Sequence, residues 1–204
     1  MELATLPARL PRVKIVCPPI LTQGDIVARF DLPDAPAAFR SIQWEAEFSP
    51  RGLRRLTLLS GISDEKFDSR LSLRERPESG GDARSLGALQ DRRIKALKRM
   101  LLDRLKGGRS DFAWEEFDLA DAGPFHRRVW QAMRKIPFGE TATYAEVARD
   151  AGSPMAFRAC GQACGANRII LFIPCHRVVS SSGLGGFGCG LEWKKKFLAM
   201  ESSR

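Results

Sequence analysis

Five consecutive apolar residues, Ile169-Ile170-Leu171-Phe172-Ile173, run directly into Pro174-Cys175-His176-Arg177, and the stretch from Ser180 to Gly190 beyond them is rich in glycine. The chain has to bury the apolar run but cannot extend it. Proline lacks the amide hydrogen that a central strand needs and biases the residue before it toward extended geometry. The sequence therefore predicts a buried strand that ends at Pro174 and presents Cys175 at its mouth. A cysteine followed by an imidazole and a guanidinium is a candidate nucleophile, because either neighbour lowers a free thiol pKa of about 8.5. The same residues also allow a core cysteine at a strand end beside a surface histidine, free cysteine being among the most buried residue types. Adjacent side chains on a regular strand point to opposite faces, so His176 reaches Cys175 only if the backbone turns here or a water bridges them.

Composition narrows the classes. A chain of 204 residues that is 44% hydrophobic can bury one good core or two small ones. It contains no apolar run of membrane-spanning length, and Met1 to Thr5 lacks the apolar core of a secretory signal, so the expected location is cytoplasmic and nucleoid-associated, or nuclear in a eukaryote. The five cysteines (17, 160, 164, 175 and 189) form no C-x-x-C pair, which favours reduced thiols over a disulfide framework. Cys160, Cys164, Cys175 and His176 do not have zinc-finger spacing and His126 is remote, so no metal is expected. Neither a P-loop nor a G-x-G-x-x-G is present. The net charge of +9 is uneven: from Phe125 onward twelve Lys/Arg stand against five Asp/Glu, whereas the residues before it carry 21 and 19. A basic domain is the electrostatic footprint of nucleic-acid binding, although solubility alone also accounts for a modest excess.

Two parts are expected, residues 1–117 and residues 118–204, giving an α/β (α+β) chain: a mixed scaffold domain followed by a mostly helical one. In the first, Ile42 to Phe48 and Leu53 to Leu59 flank Ser49-Pro50-Arg51-Gly52 and predict a β-hairpin. Ser60 to Ser85 is polar and predicts a loop. Leu86, Leu89, Ile94, Leu97, Leu101 and Leu105 then share a helical face, with Arg92, Arg93, Lys95, Arg99 and Lys106 elsewhere on a solvated surface, and Gly107-Gly108 ends the helix. Asp118 to Gly123 reads as a linker. Pro124 opens a helix with a buried stripe of Phe125, Val129, Ala132, Met133 and Ile136, ending at Pro137-Phe138-Gly139. Thr143 and Glu146 form a capping box for a short helix closed by Gly152, and Ser153-Pro154 reads as the cap and first residue of the next. Two short helices so tightly joined suggest a helix-turn-helix. The second is rich in small residues (Ala156, Ala159, Cys160, Gly161, Ala163, Cys164 and Gly165) with Arg158 standing out, a surface suited either to close approach to DNA or to packing against another helix.

The ordered series Phe125-His126-Arg127-Arg128-Val129-Trp130, Ile136-Pro137-Phe138-Gly139-Glu140-Thr141, Tyr144, Arg158, Asn167, Ile173-Pro174-Cys175-His176-Arg177-Val178-Val179 and Gly183 resembles the O6-alkylguanine-DNA alkyltransferases, also called methylated-DNA–protein-cysteine methyltransferases. The resemblance is strong from Phe125 to Glu201 and weaker before it, where the hairpin, the amphipathic helix and Phe112 are similar to the family's variable N-terminal domain. It implies DNA repair by direct reversal: a helix-turn-helix in the minor groove of duplex DNA, a flipped O6-alkylguanine (O4-alkylthymine being a further candidate), and irreversible transfer of the alkyl group to Cys175. It also implies a single-use protein without cofactor, monomeric and with cooperative binding on DNA left open.

By the same resemblance Cys175 is the nucleophile, and His176 is its base acting through a water and activated by Glu201. Glu201 lies three and four residues from Leu198 and Phe197, so it is expected to face inward, although a carboxylate at a helix C-terminus is disfavoured by the dipole. Tyr144 would assist the departing guanine, and Asn167 would tie the recognition helix to the active-site segment. Arg158, with Ala156, Ala159 and Tyr144 around it, would meet the DNA and fill the space of the flipped base. Val178, Phe187, Gly188 and Cys189 would line the pocket, backbone groups of Cys175 and Val178 would read the guanine amine, and Arg177 would be structural. The chain departs from the family where Ile170 replaces a common proline, Phe187 a common tyrosine and Cys189 a usual glycine, with one residue fewer beside them. Cys189 is thereby a candidate second acceptor or oxidation partner for Cys175. The absence of N-terminal histidine removes the zinc site of some relatives. Three competing functions remain: a lesion sensor that flips alkylguanine without transfer, a small-molecule thiol hydrolase or transferase, and a dimeric helix-turn-helix regulator.

Overall fold

The computed structural model describes residues 25–59 and 83–202, in which an antiparallel sheet precedes a run of helices, an α+β arrangement. Strands β1 (Ile26–Asp31), β2 (Gln43–Ser49) and β3 (Gly52–Leu58) pair in the order β1-β2-β3, with Ser49 opposite Gly52 across the Pro50-Arg51 turn. The hairpin is as expected. β1 was not foreseen, although its inward residues Ala28 and Phe30 alternate with more exposed ones. Glycine is required at position 52 because a Cβ there would lie 2.0 Å from the Glu116 carbonyl oxygen.

Helix α1 (Ala83–Leu105) begins inside the segment read as loop, the rest of which lies outside the described residues, as does the side chain of Leu86. Leu97, Leu101 and Leu105 are buried in the core, whereas Leu89 is 49% exposed. The basic positions are not uniformly solvated: Arg93 donates to the carbonyls of Ser49 and Pro50, fastening the helix to the hairpin turn. Gly107 (φ 81°) and Gly108 close α1 as a paired C-cap, donating to Arg104 and Asp103 carbonyls.

Asp118 to Gly123 is not a free linker. Asp118 is 4% exposed and accepts from Arg54 at 3.0 and 3.2 Å, and its amide donates to the Leu53 carbonyl, so the start of this segment belongs to the sheet edge. Helix α2 (Pro124–Lys135) starts with Pro124 as predicted and buries Val129, Trp130, Ala132 and Met133. The short strand β4 (Ala142–Thr143) leads into α3 (Tyr144–Asp150), where Thr143 Oγ1 accepts from the Glu146 amide and Glu146 Oε2 accepts from the Thr143 amide. Gly152 (φ 72°) and Ser153 donate to the Arg149 and Ala148 carbonyls and end α3.

Helix α4 (Phe157–Gly165) starts three residues later than predicted. Ser153-Pro154 instead opens a turn in which the Ala156 amide donates to the Ser153 carbonyl, and Ala156 is the N-cap without a side-chain bond. Serine and proline favour both geometries, and the bond closing the turn selects this one. Trp130 of α2 donates to the Ala163 carbonyl at 2.8 Å and Arg128 to the Ala151 carbonyl, so α2 sets the positions of both short helices.

The apolar run is buried as required, but it is not a strand. Ile169 to Ile173 fold into successive tight turns, with Phe172 N–H on the Ile170 carbonyl, Ile173 N–H on Ile169, and Cys175 N–H on Ile173. Leu171 takes φ 68°, a left-handed value unusual for a non-glycine residue, and the surroundings hold it there. Sheet strand β3 is one support: Leu56 donates to the Arg168 carbonyl and accepts from the Ile170 amide. A single 3-10 turn follows, Cys175–Arg177, then β5 (Val178–Val179), parallel to β4, and α5 (Leu191–Ser202). Phe197 of α5 stacks on Phe39 of the N-terminal part at 5.7 Å, joining the two parts through their aromatic cores.

Candidate active site

The 3-10 turn removes the strand geometry that would have separated Cys175 from His176, and both side chains are buried, at 7% and 1% exposure. The inward expectation for Glu201 holds, at 4% exposure. Its Oε1 is 2.9 Å from His176 Nε2, and Arg177 grips the same carboxylate with Nε on Oε2 and Nη2 on Oε1, both at 2.8 Å. Arg177 Nη1 donates to the Ile136 carbonyl, and the Gly139 amide donates to Glu201 Oε2. Ile136-Pro137-Phe138-Gly139 therefore forms the wall against which the carboxylate is seated. Gly139 (φ 82°) passes so close that a Cβ would stand 3.1 Å from the Glu201 carbonyl oxygen.

These contacts set the protonation states. Burial would raise the Glu201 carboxyl, but the hydrogen bonds and charges of His176 and Arg177 outweigh it and hold the group at about 2. Burial lowers the His176 pKa, against the pull of Glu201, so the imidazole is neutral at pH 7. With Nε2 turned to a carboxylate that can only accept, Nε2 carries the hydrogen and Nδ1 bears the lone pair. Nδ1 is buried and has no partner among the described residues. The carboxylate thus orients an imidazole whose basic nitrogen is uncommitted.

Asn167 approaches the thiol from the other side. Its Nδ2 donates to the Ile173 carbonyl at 2.8 Å and lies 3.1 Å from Cys175 Sγ, and its Oδ1 accepts from the Ile169 amide. One side chain therefore closes the turn and touches the sulfur. Burial pushes the Cys175 thiol up, opposed by the Asn167 hydrogen bond and the charge of Lys194.

Lys194 was missed by sequence reasoning. It is fully buried on the face of α5 that also carries Phe197 and Glu201, and its Nζ donates to the carbonyls of Val178 (2.6 Å), Leu184 and Gly186 (3.2 Å). The spacing from Phe197 and Glu201 was the available signal, concealed by the run Lys194-Lys195-Lys196.

Tyr144 is half-buried between α4 and the glycine-rich loop. Burial raises its phenol and a hydrogen bond with the Gly186 backbone opposes this, so the hydroxyl is protonated at pH 7. A Cβ at Gly185 (φ 69°) would lie 3.0 Å from the Tyr144 hydroxyl. Phe187 meets Phe197 edge-on at 6.1 Å, Gly188 is exposed, and the half-buried Cys189 thiol is pushed up to about 11, chiefly by burial. Cys160, Cys164, Cys175 and Cys189 are all free thiols. Arg158 is exposed on α4, the N-cap Ala156 and Ala159 are partly buried, and Met155 and Phe157, not singled out by sequence reasoning, are exposed beside them.

Residues 124–203 match the family model for the 6-O-methylguanine DNA methyltransferase, DNA binding domain. A protein of Acanthamoeba polyphaga mimivirus, described as a probable methylated-DNA–protein-cysteine methyltransferase, is 44% identical over 112 residues, covering 53% of this chain and 74% of its own. The methylated-DNA–protein-cysteine methyltransferase of Mycolicibacterium paratuberculosis is 49% identical over 87 residues; the matched segment is 42% of this chain and spans about half of the relative's length (52%). Among solved structures, the Mycobacterium tuberculosis O6-methylguanine methyltransferase superposes with a TM-score of 0.61 at 30% identity, covering 88% of this chain and 94% of that one. The same organism's OGT in complex with DNA gives 0.61 at 29%. The enzyme of Pyrococcus kodakaraensis, 18% identical with a TM-score of 0.54, shares the fold. With its cysteine, its buried acid, a 44%-identical relative covered over 74% of its length and a 30%-identical solved structure covered over 94%, this chain belongs to the methylated-DNA–protein-cysteine methyltransferases, the alkyl-transferring proteins of DNA repair.

Proposed function

We propose that the chain takes the alkyl group from O6-alkylguanine in duplex DNA onto Cys175, once per molecule. The observation that carries this reading is the buried series Cys175, His176, Arg177 and Glu201, with the partly buried Asn167 against the sulfur, which leaves the His176 Nδ1 lone pair uncommitted. His176 removes the thiol proton through a bridging water, and the imidazolium that forms is stabilised by the Glu201 carboxylate. Asn167 Nδ2 and the Lys194 charge favour the thiolate. Sulfur then attacks the alkyl carbon; the S–C bond forms as the C–O6 bond breaks, and the electron pair leaves with guanine. Tyr144 hydrogen-bonds the departing base and stabilises its developing charge. A thioether is a poor leaving group and no residue here returns the thiol, so the reaction is stoichiometric.

Residues 118–204 bind DNA in this reading and residues 1–117 serve as scaffold. α3 and α4 form a helix-turn-helix that lies in the minor groove, where little sequence is legible, as suits inspection of any duplex. Arg158 replaces the extruded base, which lowers the few kcal/mol cost of flipping. Val178, Phe187, Gly188 and Cys189 line the pocket, and the protein acts in the cytoplasm or nucleoid.

Intact-protein and peptide mass spectrometry after incubation with a duplex containing O6-methylguanine tests the reaction. One methyl group on Cys175, absent with undamaged duplex and absent in Cys175→Ser, is the expected result. Tight binding to the lesion without label would replace the reading with that of a sensor. Arg158→Ala should slow repair of duplex more than reaction with the free base, and equal losses would remove the role assigned to it.

A further inference from the structure

Large apolar side chains are exposed at Leu89, Met155, Phe157 and Leu191 among the described residues. A single exposed apolar residue needs no explanation. Two of these, however, stand within three positions of each other at the start of α4, Met155 at 87% and Phe157 at 46% exposure, and the second adjoins Arg158. The side chains beside them are small: Ala156, Ala159 and, one turn on, Gly161. An aromatic ring therefore projects from a surface that otherwise lets the backbone approach a partner closely. The Arg158 guanidinium carbon lies 5.8 Å from the Phe157 ring centroid, so the cation and the ring project together. The face lies within the residues matched to the family's DNA binding domain, and duplex DNA is the partner argued for it.

We infer that Phe157 is an apolar wedge that enters the base stack beside Arg158 when the first turn of α4 occupies the minor groove. The inference rests on the duplex-binding reading above and adds a second inserting residue to it. Proteins that bind the minor groove insert phenylalanine, leucine or methionine between base steps, unstacking them and kinking the duplex. The division of labour follows from chemistry. Arg158 occupies the hydrogen-bonding space left by the extruded guanine, while Phe157 covers the apolar faces of the neighbouring pair, which the extrusion exposes to water. Met155, on the far side of Ala156, reaches the groove wall and contributes apolar contact without phosphate attraction. The wedge makes the repair rate depend on the flanking step: pyrimidine–purine steps unstack readily and A-tracts resist, so lesions in flexible steps are repaired faster although no base edge is read.

The test uses the full chain, single-turnover methyl transfer from duplexes with 2-aminopurine beside O6-methylguanine, and the free base as a second substrate. Phe157→Ala should slow duplex repair on the order of tenfold, the loss expected when an apolar side chain buried among the bases is cut back. It should also weaken the 2-aminopurine fluorescence rise, leave reaction with free O6-methylguanine unchanged, and leave the salt dependence of binding unchanged because no charge is removed. Phe157→Leu should retain most of the rate, since a wedge needs apolar bulk and not a π face. Duplex repair by Phe157→Ala at the parent rate would overturn the inference. So would Phe157→Leu as slow as Phe157→Ala, which would make the ring a mere platform for Arg158, or equal losses on the free base. A parent chain that takes methyl from the free base but never from duplex fails the underlying reading, and the wedge with it.

Discussion

Glu201→Ala separates the two tasks the carboxylate performs. In the parent protein it receives two hydrogen bonds from Arg177, one from the Gly139 amide and the contact from His176 Nε2, all in a site with almost no solvent access. Removing it leaves a guanidinium that is 4% exposed with, among the described residues, the Ile136 carbonyl as its remaining hydrogen-bond partner beside the Phe138 ring. Breaking a buried pair by deleting one member costs about 3–5 kcal/mol, which for a protein of this size corresponds to a fall in melting temperature of roughly 6–20 °C. The imidazole also loses the group that fixes its tautomer, and loss of general-base assistance lowers the single-turnover rate by roughly a hundredfold or more. The double variant Arg177→Met with Glu201→Gln distinguishes the effects. An uncharged pair of similar volume should recover much of the stability, because buried ion pairs are often replaceable by apolar contacts, whereas the rate should stay low. Calorimetry together with quenched-flow methyl transfer measures both. A Glu201→Ala protein melting within about 1 °C of the parent, or a double variant with parental rate, would refute the reasoning.

Three further outcomes are expected. The folded Glu201 group sits at about 2 against an ordinary 4.5, so its stabilising contribution is complete above the ordinary value and is lost as pH falls from there toward 2; melting temperatures from pH 6 to 3 should fall more steeply for the parent than for Glu201→Gln, and parallel curves would contradict the assignment. Lys194→Met should free the loop held at Leu184 and Gly186 and remove the cation that favours the Cys175 thiolate, moving the iodoacetamide rate profile to higher pH and slowing repair about tenfold or more; an unchanged profile would exclude the electrostatic part. Gly185→Ala forces a left-handed alanine against the Tyr144 hydroxyl, costing about 1–3 kcal/mol, and should impair reaction with the free base and with duplex alike; selective loss on duplex would place Tyr144 outside the pocket.

Local chemistry written into neighbouring residues was legible in the sequence. Thr143 with Glu146, Pro124, Gly107 and Gly152 announced their helix boundaries, and Glu201 was placed inward by its distance from Phe197 and Leu198. What stayed hidden depends on partners far along the chain. Ile169 to Ile173 has strand composition, but Asn167 and Leu56 supply the bonds that fold it into turns. Asp118 looked like linker because its partner Arg54 is 64 residues away. Lys194 carries a charge that pattern reading assigns to the surface, and three backbone carbonyls brought together by the glycine-rich loop overrule it. Ser153-Pro154 is a true turn signal whose local chemistry does not distinguish a turn from a helix start.

The contact between Asn167 Nδ2 and Cys175 Sγ, at 3.1 Å, would be weakened by alkylation of the sulfur, because a thioether is a far weaker acceptor than a thiolate. The same amide secures the Ile173 carbonyl and, through Oδ1, the first residue of the buried run, so a disturbance at the sulfur is passed to a segment containing a left-handed leucine. If Cys175 takes the alkyl group as proposed, one of the fastenings that keep the reactive form assembled would be undone, and a spent molecule would differ from a fresh one in stiffness as well as in chemistry.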